Sequence, residues 1–322
     1  MQLYTRRNDD EAPGMTGAGL ERPAGAGRLR RSLHFVPGAS EKMLEKSLAT
    51  AADALVLDLE DAVTPERKDD ARRIVADWLA NVDFAGKERT VRINPLDTPW
   101  GLDDLAATMT SPPDAYVIPK VQTLADLERI DAEISRHERA GGHPPGTVGL
   151  ILVATETPRG VLNLPTFPDC SRVVALNWGA EDLSAALGAS RNRHPDGHYL
   201  DVFRHCRVQT LLSATAGGVQ PLDAVHVDIR DLDGLKQESL EAAWMGFTGK
   251  ITIHPAQIDV VNDAFSPTAE EVAEAERLVE AMEEAERQGL MAIAFEGRMV
   301  DVPHLNQARR LLDRARQIGE TR

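Results

Sequence analysis

Polar and charged side chains gather where short β-branched runs of this sequence end. They are Asp58, Glu60, Asp61, Arg92, Asn94, Lys120, Glu156, Glu181 and Asp182. In a parallel α/β protein the carboxyl ends of the strands share one edge, so these side chains are expected to converge there. Converging carboxylate oxygens favour magnesium, which takes a few carboxylates together with water and substrate oxygens. The pattern therefore predicts a site for Mg²⁺, with Mn²⁺ as a second possible ion.

Glu156 and Asp182 are the predicted pair of metal ligands, because each follows a run typical of a buried strand. An acid in this position is also typical of a cap on the next helix, so capping is the alternative role for both. The neighbouring Glu181 is the better candidate for a cap. A histidine metal site is not expected at His194 and His198, because the Pro-Asp-Gly sequence between them breaks the helix that would align them.

The second run places Asp58 and Glu60 on one face, since side chains alternate along a strand. Charges inside a barrel are tolerated when they are paired, hydrogen-bonded or bound to metal. Arg92 alternates with apolar neighbours, so its guanidinium is expected to point inward, where it could clamp a carboxylate or an enolate oxygen. The alternative is a purely structural network in which Arg92 or Lys120 is locked to these acids.

Three further polar residues near predicted strand ends, His226, Asp228 and His254, could line the mouth of the site or satisfy buried backbone groups. The sequence contains no nucleophile elbow, phosphate-binding loop or zinc signature. Hydrolysis by a serine nucleophile and nucleotide binding by a phosphate loop are therefore not indicated.

Eight β-branched runs alternate with amphipathic helical stretches, as in a parallel sheet with crossover helices. The runs lie at 32–36, 54–60, 90–94, 116–120, 148–156, 172–178, 223–228 and 250–254. Eight such units between about residues 30 and 266 match the usual size of a closed (β/α)8 TIM barrel, about 250 residues. The barrel is the predicted fold, with a doubly wound open sheet as the alternative.

The segments outside the barrel read differently. Residues 1–27 are rich in Gly, Pro, Ala and charge without periodicity, which predicts a disordered leader before a catalytic domain at 28–266. Residues 267–322 predict a C-terminal extension that could serve as a lid. It contains a helix at about 268–288, a short hairpin turning at Glu296 and Gly297, and a final helix at about 303–318.

Composition limits the partners of the chain. Of its 322 residues, 36 are Lys or Arg and 51 are Asp or Glu, and the formal charge of -15 argues against nucleic acid or an anionic membrane surface. No apolar run approaches the roughly 20 residues that span a bilayer. Two cysteines, Cys170 and Cys206, fit neither a disulfide framework nor a zinc site, so the expected location is the cytoplasm.

From about Arg30 to the last helix, the sequence resembles the citrate lyase beta subunit and malyl-CoA lyase family. The motifs that carry the resemblance occur in family order and are RRSLHFVPG, ALVLDLEDAVTPERKDDAR, VRINPLDTPWGLDDL, VIPKV, ETPRG, GAEDL, GKITIHPAQI and GRMVDVP. Eight ordered motifs are far more specific than any one of them.

The resemblance implies a barrel with a C-terminal extension, Mg²⁺ held by Glu156 and Asp182, and Arg92 near the reacting carbonyl. It also implies that Asp301 is the acid or base, supplied by a neighbouring subunit in a homotrimer or hexamer; its own sequence context suggests only a cap before Pro303.

The resemblance further implies that Phe35 lies along the substrate and that the backbone at Ile253 and His254 approaches coenzyme A. Family members often carry an Arg after the Pro-Gly turn for the CoA phosphates, where this chain has Ser40, with Lys42 nearby.

The implied reaction is cleavage or formation of a short 3-hydroxyacyl-CoA thioester, such as malyl-, citramalyl- or citryl-CoA, with acetyl-CoA and a 2-oxo acid as the other partners. Because Ser40 departs from the family pattern, an aldolase acting on free hydroxy-keto acids through a pyruvate enolate is the nearest alternative. Thioester hydrolysis, as in malate synthase or malyl-CoA thioesterase chemistry, is a second alternative, and a non-enzymatic scaffold subunit is a third.

Overall fold

The computed structural model describes residues 22–320, and its centre is a closed barrel of eight parallel strands in sequential order. The strands are β1 (Ser32–Pro37), β2 (Ala54–Asp58), β3 (Glu88–Arg92), β4 (Ala115–Ile118), β5 (Gly149–Val153), β6 (Val173–Asn177), β7 (Gln220–Asp223) and β8 (Gly249–Thr252). Strand β8 pairs in parallel with β1, with Leu33 opposite Ile251, so the sheet has no free edge. The closed barrel is confirmed and the open sheet is excluded.

Helices connect successive strands on the outside of the barrel. They are α1 (Glu41–Leu48), α2 (Lys68–Asn81), α3 (Gly101–Thr108), α4 (Leu124–Ala140), α5 (Pro158–Asn163), α6 (Glu181–Leu187), α7 (Asp201–Ala216), α8 (Leu232–Met245) and α9 (Ala256–Ala264). Several begin at capping side chains written in the sequence: Thr123 forms a capping box with Asp126, and Asp231 accepts the Gly234 N–H. Caps of this kind satisfy amide groups that the first helical turn leaves unpaired.

Alternation along the strands sorts their side chains into two cores. On β2, Ala54 and Val56 pack inside the barrel, whereas Leu55 and Leu57 pack outward beneath the helices. Asp58 is two residues after Val56, so its side chain points to the interior of the barrel as those of Ala54 and Val56 do. The same alternation turns Arg92 inward from β3, where its neighbour Val91 belongs to the outer core. Strand periodicity alone therefore brings an acid and a guanidinium together at the top of the barrel.

Strand β7 is the element that the sequence placed wrongly. It was expected at 223–228, but the paired residues are Gln220–Asp223, and the β-branched residues after Asp223 belong to the following loop. Pro221 lies within the strand and lacks an N–H, so it weakens the usual sequence signal for a strand. Consequently His226 and Asp228 lie on a loop beyond the strand and not on it.

The C-terminal extension has the predicted elements. They are α10 (Ala269–Arg287), a hairpin of β9 (Ala292–Phe295) and β10 (Arg298–Asp301), and α11 (Val302–Glu320). Thr268 caps α10 in a capping box with Glu271, and the hairpin turns at Glu296 and Gly297, both with positive φ. Met282, Val300 and Leu305 form a small core of its own. The extension is also fastened to the barrel, because Arg314 donates to the carbonyls of Phe265 and Thr248.

The predicted leader lies largely outside the described residues, but its last six residues, 22–27, pack against the amino-terminal end of the barrel. The Arg22 guanidinium donates to the carbonyls of Val173, Pro168 and Gly217 at 2.6, 3.0 and 2.7 Å. Packed structure therefore begins before the predicted boundary at residue 28. Across residues 22–320, no helix is both long and apolar enough to cross a bilayer.

Candidate active site at the mouth of the barrel

Arg92 is the centre of a charged network at the carboxyl end of the barrel. Its Nε and Nη2 donate to the two oxygens of Asp58 at 2.7 and 2.6 Å, and its Nη1 lies 3.0 Å from Glu60. Burial alone would lower the pKa of Arg92, but the bonds and charge of Asp58, with the charge of Glu60, raise it above its ordinary value. The guanidinium is thus permanently charged and held in a fixed orientation. The locked network considered as the structural alternative is present.

Lys120 lies at the end of β4 with a left-handed backbone, φ 55°, which is uncommon for a residue with a side chain. Its Nζ is 2.5 Å from Glu60, 3.4 Å from Asp61 and 3.9 Å from Asp182. Its backbone N–H donates to the Glu156 carboxylate at 2.6 Å. One strained residue therefore connects the acids that follow β2 to both predicted metal ligands.

Glu156 and Asp182 lie near each other but in different surroundings. Glu156 is only 6% exposed, whereas 42% of the Asp182 side chain is exposed. Burial raises the pKa of Glu156 to about 8, and the nearby charge of Asp182 adds to the shift. Without a bound cation the Glu156 carboxyl therefore keeps its proton near neutral pH, and a cation held by the pair would favour its ionised form.

These two carboxylates suit a divalent cation. Magnesium is commonly held by one or two carboxylates, and its other positions are filled by water and substrate oxygens. Among residues 22–320, no group of three or more His, Cys, Asp or Glu side chains is arranged to hold a metal. Glu156 and Asp182 would therefore hold the ion alone, leaving room for substrate oxygens.

The capping alternatives for these acids are not observed. Helix α5 is capped by Thr157, which accepts the Gly160 N–H, and α6 has no side-chain cap. Glu181, expected to cap α6, accepts a bond from Asn192 at 2.8 Å, so that prediction is wrong. Glu156 is consequently not used as a helix cap.

A second set of buried polar residues lies beneath the barrel mouth. Of these residues, only the asparagine, Asn94, was predicted from the sequence, at a strand end. The Lys68 Nζ donates to the carbonyls of Leu59 and Glu60 and to Asn94, all within 2.8 Å. Asn94 in turn donates to Asp104 at 2.7 Å. Lys68 and Asp104 begin ordinary amphipathic helices, where charged residues normally face solvent, so periodicity gave no signal for them.

Phe35 lies on the inner side of β1, and the Arg92 guanidinium carbon is 4.9 Å from its ring centre. Ile253 and His254 follow β8 and donate their backbone N–H groups to Gln257 at 2.9 and 3.2 Å. Lys42 is exposed on α1, directly after the Ser40 turn. The structure thus brings Phe35 to the Arg92 network and leaves Lys42, Ile253 and His254 on loops or helices around the rim.

Asp301 is the predicted site residue that is not part of this cluster within one chain. It lies on β10 of the extension, is half-exposed, and its carboxylate contacts His304 Nδ1 at 2.5 Å. Across residues 22–320, no hydrogen bond or ion pair joins Asp301 to the barrel mouth. His226 is also separate, because its ring contacts Glu238 and its carbonyl accepts from Gln257.

Residues 31–255 match the model of the HpcH/HpaI aldolase/citrate lyase family, which covers more than half of the chain. The chain belongs to this family. It is 40% identical to citrate lyase subunit beta of Escherichia coli K12, over 91% of this chain and 95% of that protein. It is also 37% identical to a (3S)-malyl-CoA thioesterase of Cereibacter sphaeroides, over 91% of this chain and 96% of the relative.

Solved structures of the family show the same architecture. CitE of Mycobacterium tuberculosis, in complex with magnesium, acetoacetate and coenzyme A, superposes with a TM-score of 0.73 at 36% identity. The match covers 89% of this chain and 98% of CitE. RipC of Yersinia pestis superposes with a TM-score of 0.61 at 28% identity, over 76% of this chain. The barrel is therefore the architecture of the citrate lyase family.

Proposed function

We propose that this protein is a magnesium-dependent carbon–carbon lyase that cleaves or forms a short 3-hydroxyacyl-CoA thioester, yielding or using acetyl-CoA and a 2-oxo acid. The observation that carries the proposal is the juxtaposition of the Arg92 network with the Glu156 and Asp182 pair at the mouth of the barrel. Magnesium and coenzyme A in the related CitE support both the metal and the carrier. We expect the protein in the cytoplasm.

Glu156 and Asp182 would hold the ion, which when bound supplies positive charge that acidifies the hydroxyl of the substrate. The burial of Glu156 limits its ligand geometry, and the bond from the Lys120 N–H orients one of its oxygens. Asp182 is more exposed and would remain accessible to substrate. The chain therefore provides one rigid ligand and one accessible ligand.

Arg92 would stabilise the charge that develops when the carbon–carbon bond breaks. The substrate hydroxyl gives its proton to solvent and its oxygen forms the carbonyl of the 2-oxo acid. The electrons of the broken bond pass to the thioester, whose oxygen becomes an enolate oxygen. The Nε and Nη2 atoms of Arg92 donate to Asp58 and its Nη1 forms an ion pair with Glu60, so the remaining guanidinium N–H groups would donate to this oxygen. Because Asp58 and Glu60 fix the guanidinium beforehand, little reorganisation is needed in the transition state.

Asp301 of a neighbouring copy would then protonate the enolate carbon, and in the synthetic direction it would remove a proton from acetyl-CoA. The proposal of a second copy, in a trimer or hexamer, rests on the separation of Asp301 from the mouth within one chain. Phe35 would line the acyl group, and Lys42, Ile253 and His254 the coenzyme.

Thioester hydrolysis is the second candidate, and the relationship to a (3S)-malyl-CoA thioesterase favours it. In that reaction water attacks the thioester carbonyl and free coenzyme A leaves, so no 2-oxo acid forms. The two reactions are thus separated by their products.

The test is an assay of the purified chain, without other subunits, against malyl-, citramalyl- and citryl-CoA with and without magnesium. A lyase releases a 2-oxo acid and acetyl-CoA, whereas a thioesterase releases free thiol alone. Calorimetric binding of the thioesters separates both from an aldolase of free acids. We expect oxo-acid release that is lost in Asp182→Asn and retained in Glu181→Gln, a matched control bound to Asn192. Magnesium-independent turnover, or failure with the whole panel, would contradict the proposal.

A further inference from the structure

A groove separate from the barrel mouth lies between the loop after α6 and the loop after β7, and we call it the 6–7 groove. It encloses about 790 Å³ and shares no lining residue with the Arg92 network or the Glu156 and Asp182 pair. Its lining residues include Arg193, His198, Tyr199, His226, Asp231 and Glu238. The proposed lyase function makes no use of this groove.

His226 is held rigidly at one side of the 6–7 groove. Its Nδ1 is 2.8 Å from a Glu238 oxygen, and a carboxylate only accepts hydrogen bonds, so Nδ1 carries the hydrogen. Glu238 is itself fixed by Arg193 at 2.6 Å and by the buried Lys250 at 3.6 Å. The ring therefore has one orientation, and its second nitrogen, Nε2, is free of this network.

His226 is only 9% exposed, and its Nε2 is buried without a hydrogen-bond partner among residues 22–320. Because of this burial, solvent does not satisfy the nitrogen. The Oδ2 atom of Asp231 lies 3.5 Å from Nε2 without forming a hydrogen bond. The other Asp231 oxygen caps α8 by accepting the Gly234 N–H at 2.9 Å. A buried polar nitrogen without a partner usually indicates a missing ligand, ion or water.

We propose that His226 Nε2 and Asp231 Oδ2 are ligands of a divalent cation of the zinc class. Two ligand atoms 3.5 Å apart, each about 2.0–2.2 Å from one ion, subtend about 105–120°, close to the tetrahedral angle. The contact from Nδ1 to Glu238 is the outer interaction that metal-bound histidines ordinarily make.

The site is an open one. Among the described residues no third His, Cys, Asp or Glu completes a closed set, so the remaining positions of the ion face the 6–7 groove. Water or an oxygen-bearing anionic ligand would fill them. A two-ligand site of this kind binds zinc more weakly than the closed sets of structural zinc proteins.

The experiment uses the full chain with Glu156→Gln and Asp182→Asn as the background, so that the barrel mouth does not compete for the ion. Zn²⁺ binding is measured by competition with a fluorescent chelator. We expect one ion per chain, with affinity reduced about tenfold or more by His226→Gln. Asp231→Asn should also weaken binding while keeping the helix cap, because Asn caps as well as Asp. The control is His198→Gln, an exposed histidine of the same groove, which should bind as the background does.

Equal zinc affinity in the background and in His226→Gln would overturn the proposal, and so would the absence of zinc binding in the background. If His226→Gln does not fold, Co²⁺ absorption provides a second measurement on the background protein. An intense visible band that changes in Asp231→Asn supports the site, whereas a spectrum identical in both proteins overturns it. None of these outcomes depends on lyase activity.

Discussion

At the scale of single residues, the site depends on a guanidinium whose partners are acids of the same barrel. Asp58 accepts hydrogen bonds from two N–H groups of Arg92, and Glu60 forms an ion pair with its Nη1, so the orientation of the remaining donors is fixed. The sequence predicted both proposed roles of this residue, a substrate clamp and a locked network. The geometry shows that they are compatible, since the same locking that satisfies the buried charges also fixes the remaining donors.

Arg92→Lys is expected to lower kcat for thioester cleavage by about 10²-fold or more, because an ammonium cannot hold two acids and still direct donors at an enolate oxygen. KM should change much less. Steady-state kinetics with the preferred thioester measures both constants. Arg73→Lys is the matched control, since Arg73 is an exposed arginine on α2. A kcat equal to that of the unmodified protein would exclude Arg92 from the chemistry.

The raised pKa of Glu156 predicts that the free energy of unfolding depends on pH. Its pKa rises on folding from about 4.5 to about 8, so its protonated form stabilises the protein fully below the unfolded value and that contribution is lost as pH rises through 8. In metal-free protein, Glu156→Gln should therefore raise the free energy of unfolding relative to the unmodified chain by about 2 to 4 kcal/mol at pH 9. At pH 4 the difference should be small.

Urea denaturation with a chelator present measures this difference at both pH values. Adding magnesium at pH 9 should narrow it, because the ion stabilises only the chain that retains both carboxylates. A difference that is the same at pH 4 and pH 9 would show that folding does not raise the pKa of Glu156.

At the scale of elements, the strands and most helices were predictable because alternation and capping are local. Asp58 and Arg92 were placed correctly for that reason. Lys68 was missed because its three acceptors come from the residues that follow β2 and β3, and no local sequence pattern records such a contact. Strand β7 was displaced because Pro221 weakens the true strand while valines enrich the loop after it. In this segment the strand position is set by pairing with the neighbouring strands and not by the β-propensity of the residues.

The closure of the barrel between β1 and β8 depends on a glycine. A Cβ at Gly249 would lie 1.8 Å from the Arg30 carbonyl oxygen, which is backbone and cannot move aside. Gly249→Ala should therefore lower the free energy of unfolding by about 2 to 3 kcal/mol. Gly27→Ala is the control, because a Cβ there meets nothing within 4 Å. Chemical denaturation of the two variants gives the comparison, and equal stabilities would show that the seam can relax.

At the scale of the whole molecule, the role proposed for Asp301 would make the complete site a property of an assembly, because within one chain this carboxylate lies apart from the mouth. In the sequence only the family resemblance implied this arrangement. In the structure it is supported by the position of Asp301, whose carboxylate contacts His304 of the extension. A contact between subunits leaves no pattern in the sequence, and it is not visible in the structure of a single chain.

If Asp301 acts across subunits, two variants that are each inactive alone should form active sites when they are combined in one oligomer. Asp301→Asn lacks the acid but keeps Glu156, and Glu156→Gln has the reverse defect. After mixing in equal amounts and refolding together, about a quarter of the sites in a head-to-tail ring would combine both intact residues. Oxo-acid release by the mixture measures this fraction. If the refolded mixture is as inactive as each variant alone, although it forms mixed oligomers, Asp301 does not act across subunits.

The pairing of β1 with β8 also has a consequence for the order in which the molecule is made. His34 and Thr252, which meet across this seam, are 218 residues apart, and Arg22 reaches a carbonyl 195 residues away. While the ribosome is still translating, β1 has an edge whose hydrogen-bonding groups await a strand that does not yet exist. The nascent chain is thus most open to association with other chains until the last barrel strand emerges from the exit tunnel.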